Sequence, residues 1–430
     1  MIAMRQGERT LTWQQLEIMS DRVAASLQHA GVQPALVIAI CGTNSLEYAA
    51  VFIAMIVDSD ARCLFVGEGA PAFETGIQRV TLSGKGPGTP LRNWLVPEGT
   101  VPDAVNVRRN WAFNIIYSSG TTGAPKGIVQ SHGMRWVHVT RAIKYSYGPD
   151  SVAVVASSLW SNTTLVGFFP ALAMGGTIVF YEGRFDAFAY LKIAERVRAT
   201  RAVLVPVQYQ RLMTNPEFDR FDLSSFRMKF CTSAPFSAAA EVLRRWPGSL
   251  VENYGMTEGG GNCVLEARTV PHKLRTVGKP ADGHDVRLID EDGREVARGE
   301  PGEVVGRSPA MMIGYQNQPV KTREAEWHDA EDNRYIRTGD VGRFDEDGFL
   351  VLLDRRKDLI ISGGFNIYPS DIEAVLCGHP NVADVVVIGV LSDTWGESPV
   401  AFIVPFADAP PAHVLREWAN DRLGQGAAPC

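Results

Sequence analysis

The stretch Tyr117-Ser-Ser-Gly-Thr-Thr-Gly-Ala-Pro-Lys-Gly127 holds the residues best suited to chemistry. Four hydroxyls, on Ser118, Ser119, Thr121 and Thr122, are interspersed with Gly120, Gly123 and Gly127. Backbone N–H groups and hydroxyls can therefore converge on an anion with little side-chain bulk in the way. Lys126 adds a mobile positive charge. Such a loop suits a phosphate chain. The preceding run, Trp111-Ala-Phe-Asn-Ile-Ile-Tyr117, is apolar and β-prone, which predicts a loop leaving the end of a buried strand, where α/β proteins place ligands. It is not a Walker loop, because Pro125 separates Gly123 from Lys126 and no Ser or Thr follows the lysine. A flexible linker has the same composition, but gives no reason for a Pro-Lys pair at that distance from a strand.

Four further motifs follow in order: Thr232-Ser-Ala-Pro235, Tyr254-Gly-Met-Thr-Glu258, Tyr335-Ile-Arg-Thr-Gly-Asp340, and Asp354-Arg-Arg-Lys-Asp358 with Ile360-Ile-Ser-Gly-Gly-Phe-Asn-Ile-Tyr-Pro369. Each alone reads as a turn or a helix start. In this order behind the Ser/Thr/Gly loop they resemble the adenylate-forming superfamily of acyl-CoA and aryl-CoA ligases, luciferases and peptide-synthetase adenylation domains. The resemblance runs from about Thr10 to Pro405.

It implies the following roles. Ser118, Ser119, Gly120, Thr121, Thr122 and Gly123 grip the triphosphate, with Lys126 as a catalytic cation. Thr257 meets the α-phosphate, and Glu258, also catalytic, helps hold Mg²⁺, a hard ion that rarely takes more than one or two protein carboxylates. Ser233, Ala234 and Pro235 line adenine, with Asn253, Tyr254 and Gly255 completing that pocket and Tyr254 stacking on the base. Asp340 accepts from the ribose hydroxyls and Arg355 lies against the ribose. Lys357 sits at the hinge about which a small domain swings after adenylation. Gly363 and Gly364 then admit the thiol arm of an acceptor. The acyl slot falls on Trp160, Asn162, Thr163, Thr232, Gly259, Gly260 and Gly261. The three glycines make either room in one wall or a flexible loop.

The elements that must hold these residues alternate. Thr12-Trp-Gln-Gln15 has the form of a capping box opening a helix that Gly31 can end. Runs at 37–40, 152–155, 177–181, 202–205 and 228–231 read as strands, separated by helical stretches such as 45–56 and 185–199, with another helix opening at Ser131-His132. The segment 84–90 reads as a loop before the strand that carries the phosphate-binding stretch. Asp292-Gly and Asp347-Gly mark turns in an antiparallel, barrel-like region over 286–353. Pro369-Ser-Asp-Ile-Glu373 starts a further helix. The expected fold is α/β: a large N-terminal domain, 1–353, of layered, mostly parallel sheets with helices and a small β-barrel-like region, then a small α+β C-terminal domain, 354–430.

Bulk properties exclude other classes. The 430 residues carry a net charge of −6 with no dense basic cluster, which argues against a nucleic-acid face. No apolar run approaches a membrane span and the N-terminus lacks a signal-peptide core, so a cytoplasmic setting is expected. Six scattered cysteines without a C-x-x-C pair read as small buried hydrophobes, and no zinc spacing appears among eight histidines.

Two departures from the family pattern stand out. The helix ending at Ile56 runs almost directly into the strand-like 57–66, where the family inserts another strand and helix. Lys357 is the last lysine, and the sequence stops at Cys430 before the point where the family's C-terminal Gly-Lys motif would appear, so the C-terminal domain, expected to be mobile, reads as incomplete. A chain without that charge is expected to adenylate poorly. The resemblance implies an ATP- and Mg²⁺-dependent ligase that forms an acyl-adenylate and passes the acyl group to coenzyme A. Aryl, hydroxycinnamic and medium- or long-chain acids are the expected substrates and a homodimer the expected assembly. Transfer to a carrier-protein phosphopantetheine, or nucleotide binding without catalysis, are the alternatives.

Overall fold

A computed structural model describes residues 1–32, 38–54, 63–68, 70, 78–118, 126–233, 236–355, 360–362, 365–392, 396–406 and 410–423. It divides into two compact units. One comprises Met1–Leu274, Pro280–Asp285 and Arg307–Ile336; the other Arg275–Lys279, Val286–Gly306 and Arg337–Cys430.

The first unit is built on short, uninterrupted apolar runs. Val152–Val155, Thr177–Phe180, Arg201–Leu204 and Met228–Thr232 are strands, as expected, and with Ile2–Gln6 and Ser249–Tyr254 they form one parallel sheet. Runs of this kind suit strands covered on both faces. Antiparallel strands flank it at both ends, Arg9–Thr12 against Ile2–Gln6 and Cys263–Glu266 against Ser249–Tyr254. One core gathers Met4, Phe65, Val80, Phe168 and Ile178; another gathers Tyr190, Tyr209, Phe218, Cys231 and Trp246. A second all-parallel sheet runs through Ile38–Cys41, Cys63–Val66, Gln78–Thr81 and Thr89–Pro90.

The capping box forms: Thr12 Oγ1 accepts from Gln15 N at 3.2 Å and Gln15 Oε1 accepts from Thr12 N at 2.9 Å, opening helix Trp13–His29. Leu46–Ala54 and Ala187–Arg196 are helical within the expected ranges. The junction around Ile56 lies outside the described residues. The expected loop at 84–90 ends in strand Thr89–Pro90 and helix Leu91–Trp94, so the strand bearing the Ser/Thr/Gly stretch begins only at Ala112.

That strand, Ala112–Ser118, is not in the parallel sheet. It pairs antiparallel with Lys126–Ser131, with Tyr117 opposite Gly127 and Ser118 opposite Lys126. Gly314–Tyr315 pairs with Lys126–Ser131 on its other side, Tyr315 opposite Ile128. The strands on either side of the Ser/Thr/Gly stretch are therefore the two arms of a hairpin. Local β-propensity gives a strand but not its partner, and here a partner close in sequence won.

In the second unit, Val286–Ile289, Gly302–Gly306, Arg337–Phe344 and Leu350–Arg355 belong to a sheet with Asp-Gly turns where expected, Gly293 and Gly348 both at φ 79°. A further antiparallel sheet orders Phe365–Ile367, Ile360–Ser362, Gly396–Pro405 and Val382–Ser392. Helices Pro369–Cys377 and Ala412–Asn420 contribute Ile372, Leu376 and Leu415 to its core with Ile360, Val385 and Val387.

Candidate active site

Helix His132–Lys144 follows the hairpin directly, with the Ser131 hydroxyl accepting from Met134 N at 3.1 Å, as a helix start requires. The helix is thereby tied to the strand carrying Lys126. Gly127 packs closely under the hairpin, where a Cβ would stand 3.0 Å from the Tyr117 ring.

The hairpin and the Tyr254-Gly-Met-Thr-Glu258 segment meet. Gln130 donates its amide to the carbonyl of Thr257 at 2.7 Å. Glu258 is buried; its backbone carbonyl accepts from Met312 N at 2.7 Å, and its Oε1 accepts the Tyr315 hydroxyl hydrogen at 2.9 Å. Lys126 Nζ lies 4.9 Å from the centroid of the Tyr315 ring. Burial and the neighbouring Glu258 charge raise the Tyr315 phenol well above its ordinary value, so it stays a donor. One tyrosine thus touches the hairpin's lysine and the motif's carboxylate.

Gly259 completes this seam. Its φ is 76°, and a Cβ would fall 1.7 Å from the carbonyl oxygen of Ala310. The space left by that glycine is filled by backbone, so the expected room in the acyl wall rests on Gly260 and Gly261, both buried.

The ends of neighbouring strands bring other expected residues together. Thr232 and Asn253 are partners across the parallel pair Met228–Thr232 and Ser249–Tyr254. Ser233, one residue beyond, has φ 90°, a left-handed value that costs a non-glycine residue and tends to persist at functional sites. Its hydroxyl lies 2.9 Å from that of Thr163, in the first turn of helix Asn162–Ala173. Gly255 sits against Asn262, whose Nδ2 would be 2.5 Å from a Cβ. Trp160, 61% exposed, stands at the surface just before that helix.

Asp340 lies in the second unit, opposite Arg355 on the paired strand. Its backbone N–H donates to the Thr338 hydroxyl at 3.0 Å, and that hydroxyl donates to the carbonyl of Val304 at 2.8 Å. The Thr-Gly-Asp segment is strand, within Arg334–Phe344, and is fixed by its own threonine. Ser119, Gly120, Thr121, Thr122, Gly123, Ala234, Pro235, Lys357, Gly363 and Gly364 lie outside the described residues, as does the side chain of Ser118.

Three residues that sequence reasoning passed over contact the candidate residues or the segments beside them. Tyr315 and Gln130 hold Glu258 and Thr257. Asn44 fastens the segment before Trp160, donating to the carbonyl of Ser157 and accepting from Leu159 N, both at 2.8 Å. Their partners lie far off in sequence, and no local pattern marks them.

The donor set fits a metal carried with a ligand rather than one caged by protein. Among the described residues no three His, Cys, Asp or Glu side chains gather into a metal site. Glu258 Oε1 is taken by Tyr315, and Oε2 has no hydrogen-bond partner among the described residues. A single hard oxygen of this kind suits Mg²⁺ bound chiefly by phosphates and water. No described helix is long and apolar enough to cross a membrane. The described cysteines are free, and burial pushes the thiols of Cys63 and Cys263 up to about 12, as expected of small hydrophobes; Cys377 is exposed.

Comparison with known proteins adds three findings. The family model for AMP-binding enzymes matches residues 1–75 and 54–316, and that for the AMP-binding enzyme C-terminal domain matches 371–429. Feruloyl-CoA synthase of an Amycolatopsis species is 34% identical, with 98% of this chain and 89% of that protein covered. Indoleacetate–CoA ligase of Aromatoleum aromaticum is 32% identical, with 94% and 85% covered. Among solved structures, the amide bond synthetase McbA from Marinactinospora thermotolerans superposes with a TM-score of 0.87 at 27% identity, covering 100% of this chain and 91% of its own.

Proposed function

Because this chain belongs to the AMP-binding enzyme family, we propose that it activates an aryl or hydroxycinnamic acid, with medium- and long-chain acids as the second class. It is an AMP-forming acid–thiol ligase. A carboxylate oxygen of the acid attacks the α-phosphorus of ATP and the bond to pyrophosphate breaks, leaving an acyl-adenylate. The sulfur of CoA then attacks the acyl carbonyl, and AMP departs with the electron pair of the broken C–O bond.

The observation that carries the reading is the contact of Tyr315 with both Lys126 and Glu258. It joins the hairpin under the Ser/Thr/Gly stretch to the carboxylate motif. Lys126 meets phosphate charge, and the Tyr315 ring beneath it limits the directions the ammonium can take. Gln130 fixes the Thr257 main chain so that its side chain is presented to the α-phosphate. Mg²⁺ held by Glu258 would offset the charge that builds on the phosphates during attack. Thr163, Ser233 and Thr232, gathered at the C-terminal end of strand Met228–Thr232, position the acid, and closeness of this kind supplies much of the rate.

In the second unit, Asp340 and Arg355 are assigned to the ribose. Functionally the chain divides at 353/354, with Lys357 as the hinge and Gly363 and Gly364 admitting the thiol. The setting is the cytoplasm, and the assembly to test by light scattering is a homodimer.

Pyrophosphate exchange over a panel of aryl, cinnamyl and fatty acids, followed by AMP release with CoA, tests the reading. Exchange with a thioester formed only on a carrier protein assigns the acceptor to that protein. ATP binding without exchange for any acid contradicts catalysis.

A further inference from the structure

Arg135 lies on helix His132–Lys144 and is 3% exposed. Its guanidinium is surrounded by neutral groups. Nε donates to Asn114 Oδ1 at 3.0 Å, one terminal nitrogen donates to Asn162 Oδ1 at 2.8 Å and lies 3.2 Å from His138 Nδ1, and the other donates to Gln130 Oε1. No carboxylate among the described residues pairs with it. His138 does not compensate the charge either: burial first, and then the neighbouring Arg135, Arg141 and His284, hold its pKa well below the ordinary imidazole value. Lys229, another buried cation, is spent differently, on the carbonyls of Trp246, Pro247 and Gly248.

A buried cation without a counterion is costly, and neutral amides offset only part of that cost. What distinguishes Arg135 is where its contacts lead. Asn162 opens the helix that carries Thr163 along the expected acyl wall. Gln130, held by Arg135 on one side and by Asn114 Nδ2 at 3.2 Å on another, donates onward to the carbonyl of Thr257. The guanidinium thus stands between the acid's wall and the motif assigned to the α-phosphate.

We propose that Arg135 is a positioning and specificity-determining residue for adenylation: it locks Asn162 and, through Gln130, Thr257 into one frame, and its uncompensated charge favours a carboxylate over a neutral isostere. The inference rests on the function proposed above. Without a bound anion the charge is a burden to the fold; with one it becomes an attraction in a region of low dielectric.

The test uses the full chain, with an acid that supports exchange and the primary amide of that acid as the neutral probe. Calorimetric titration gives the binding ratio of acid to amide, and pyrophosphate exchange gives kcat and the KM values for acid and ATP. In Arg135→Met the KM for acid should rise and the acid-to-amide ratio fall, each about tenfold, as expected when a nearby buried positive charge and the frame it holds are lost together. The KM for ATP should change by less than about threefold, a split that general loosening of the fold would not give. Arg135→Lys should keep the acid-to-amide ratio while kcat falls, because it restores the charge without the fork that holds Asn162 and Gln130. An unchanged ratio and KM for acid in folded Arg135→Met overturns the proposal, as does a lowered melting temperature with unchanged kinetic constants. If that variant does not fold, Asn114→Leu, which removes a partner of both Arg135 and Gln130 outside the expected acyl slot, is read in the same way: a raised KM for acid supports the frame and an unchanged one overturns it. Wild-type protein that exchanges pyrophosphate with no acid in the panel contradicts the proposed function itself.

Discussion

The Tyr315 hydroxyl donates its hydrogen to Glu258 Oε1 at 2.9 Å. The two residues come from separate stretches, and both are buried. The bond fixes the orientation of one carboxylate oxygen of Glu258. Tyr315→Phe keeps the ring against Lys126 and removes only that bond. A hydrogen bond to a charged group is worth about 1.5–3 kcal/mol, so kcat for pyrophosphate exchange should fall about tenfold or more, with the KM for Mg–ATP raised. Exchange kinetics on folded protein check this, and an unaltered kcat would remove Tyr315 from the site.

The two half-reactions should separate by mutation. Glu258→Gln and Asp340→Ala should each suppress adenylate formation, by about a hundredfold or more where a transition-state contact is lost. Gly364→Leu should leave pyrophosphate exchange intact and block thioester formation. If Gly364→Leu abolishes exchange while the protein stays folded, the division of labour between the two faces of the reaction is wrong.

Gly259 should tolerate no side chain. A Cβ 1.7 Å from the Ala310 carbonyl oxygen, at φ 76°, combines overlap with backbone strain. Gly259→Ala should cost about 3 kcal/mol or more, or yield little soluble protein. Urea unfolding is the measurement; a midpoint equal to wild type would mean that the seam between 259 and 310 opens easily.

Glu252 sets a pH dependence of stability. Buried within the sheet, its carboxyl is pushed up to about 8 from an ordinary 4.5 by burial. The folded state therefore holds a proton that the unfolded state releases, and stability is lost as pH rises from about 4.5 to 8. Burial also holds Lys229 down at about 7, which has the opposite slope but only above that pH. Between pH 5 and 7 wild type should lose about 2–3 kcal/mol relative to Glu252→Gln. Parallel profiles in urea would show that Glu252 is not neutral in the fold.

Most of the helices and parallel strands were legible because their signals are local. The capping box at Thr12 and the apolar runs at 152–155 and 228–231 depend only on near neighbours, and they fold as read. The strand at Ala112–Ser118 forms as expected, but its partners were not legible, since β-propensity does not name a partner and one flank of the hairpin is supplied from Gly314–Tyr315. The motifs gave the candidate residues, but not the ones that hold them. Tyr315 reads as an ordinary strand aromatic, and Arg135 as a charged residue on a helix. Only tertiary contact shows that one binds Glu258 and the other is buried among neutral amides.

The central claim is that a carboxylate oxygen attacks the α-phosphorus. Supplying an active acid labelled with ¹⁸O in its carboxyl group, with ATP and CoA, and weighing the products tests it directly. The account requires one labelled oxygen in each AMP released and none in pyrophosphate. Label in inorganic phosphate or pyrophosphate, with AMP or ADP unlabelled, would place the attack on another phosphorus and contradict it.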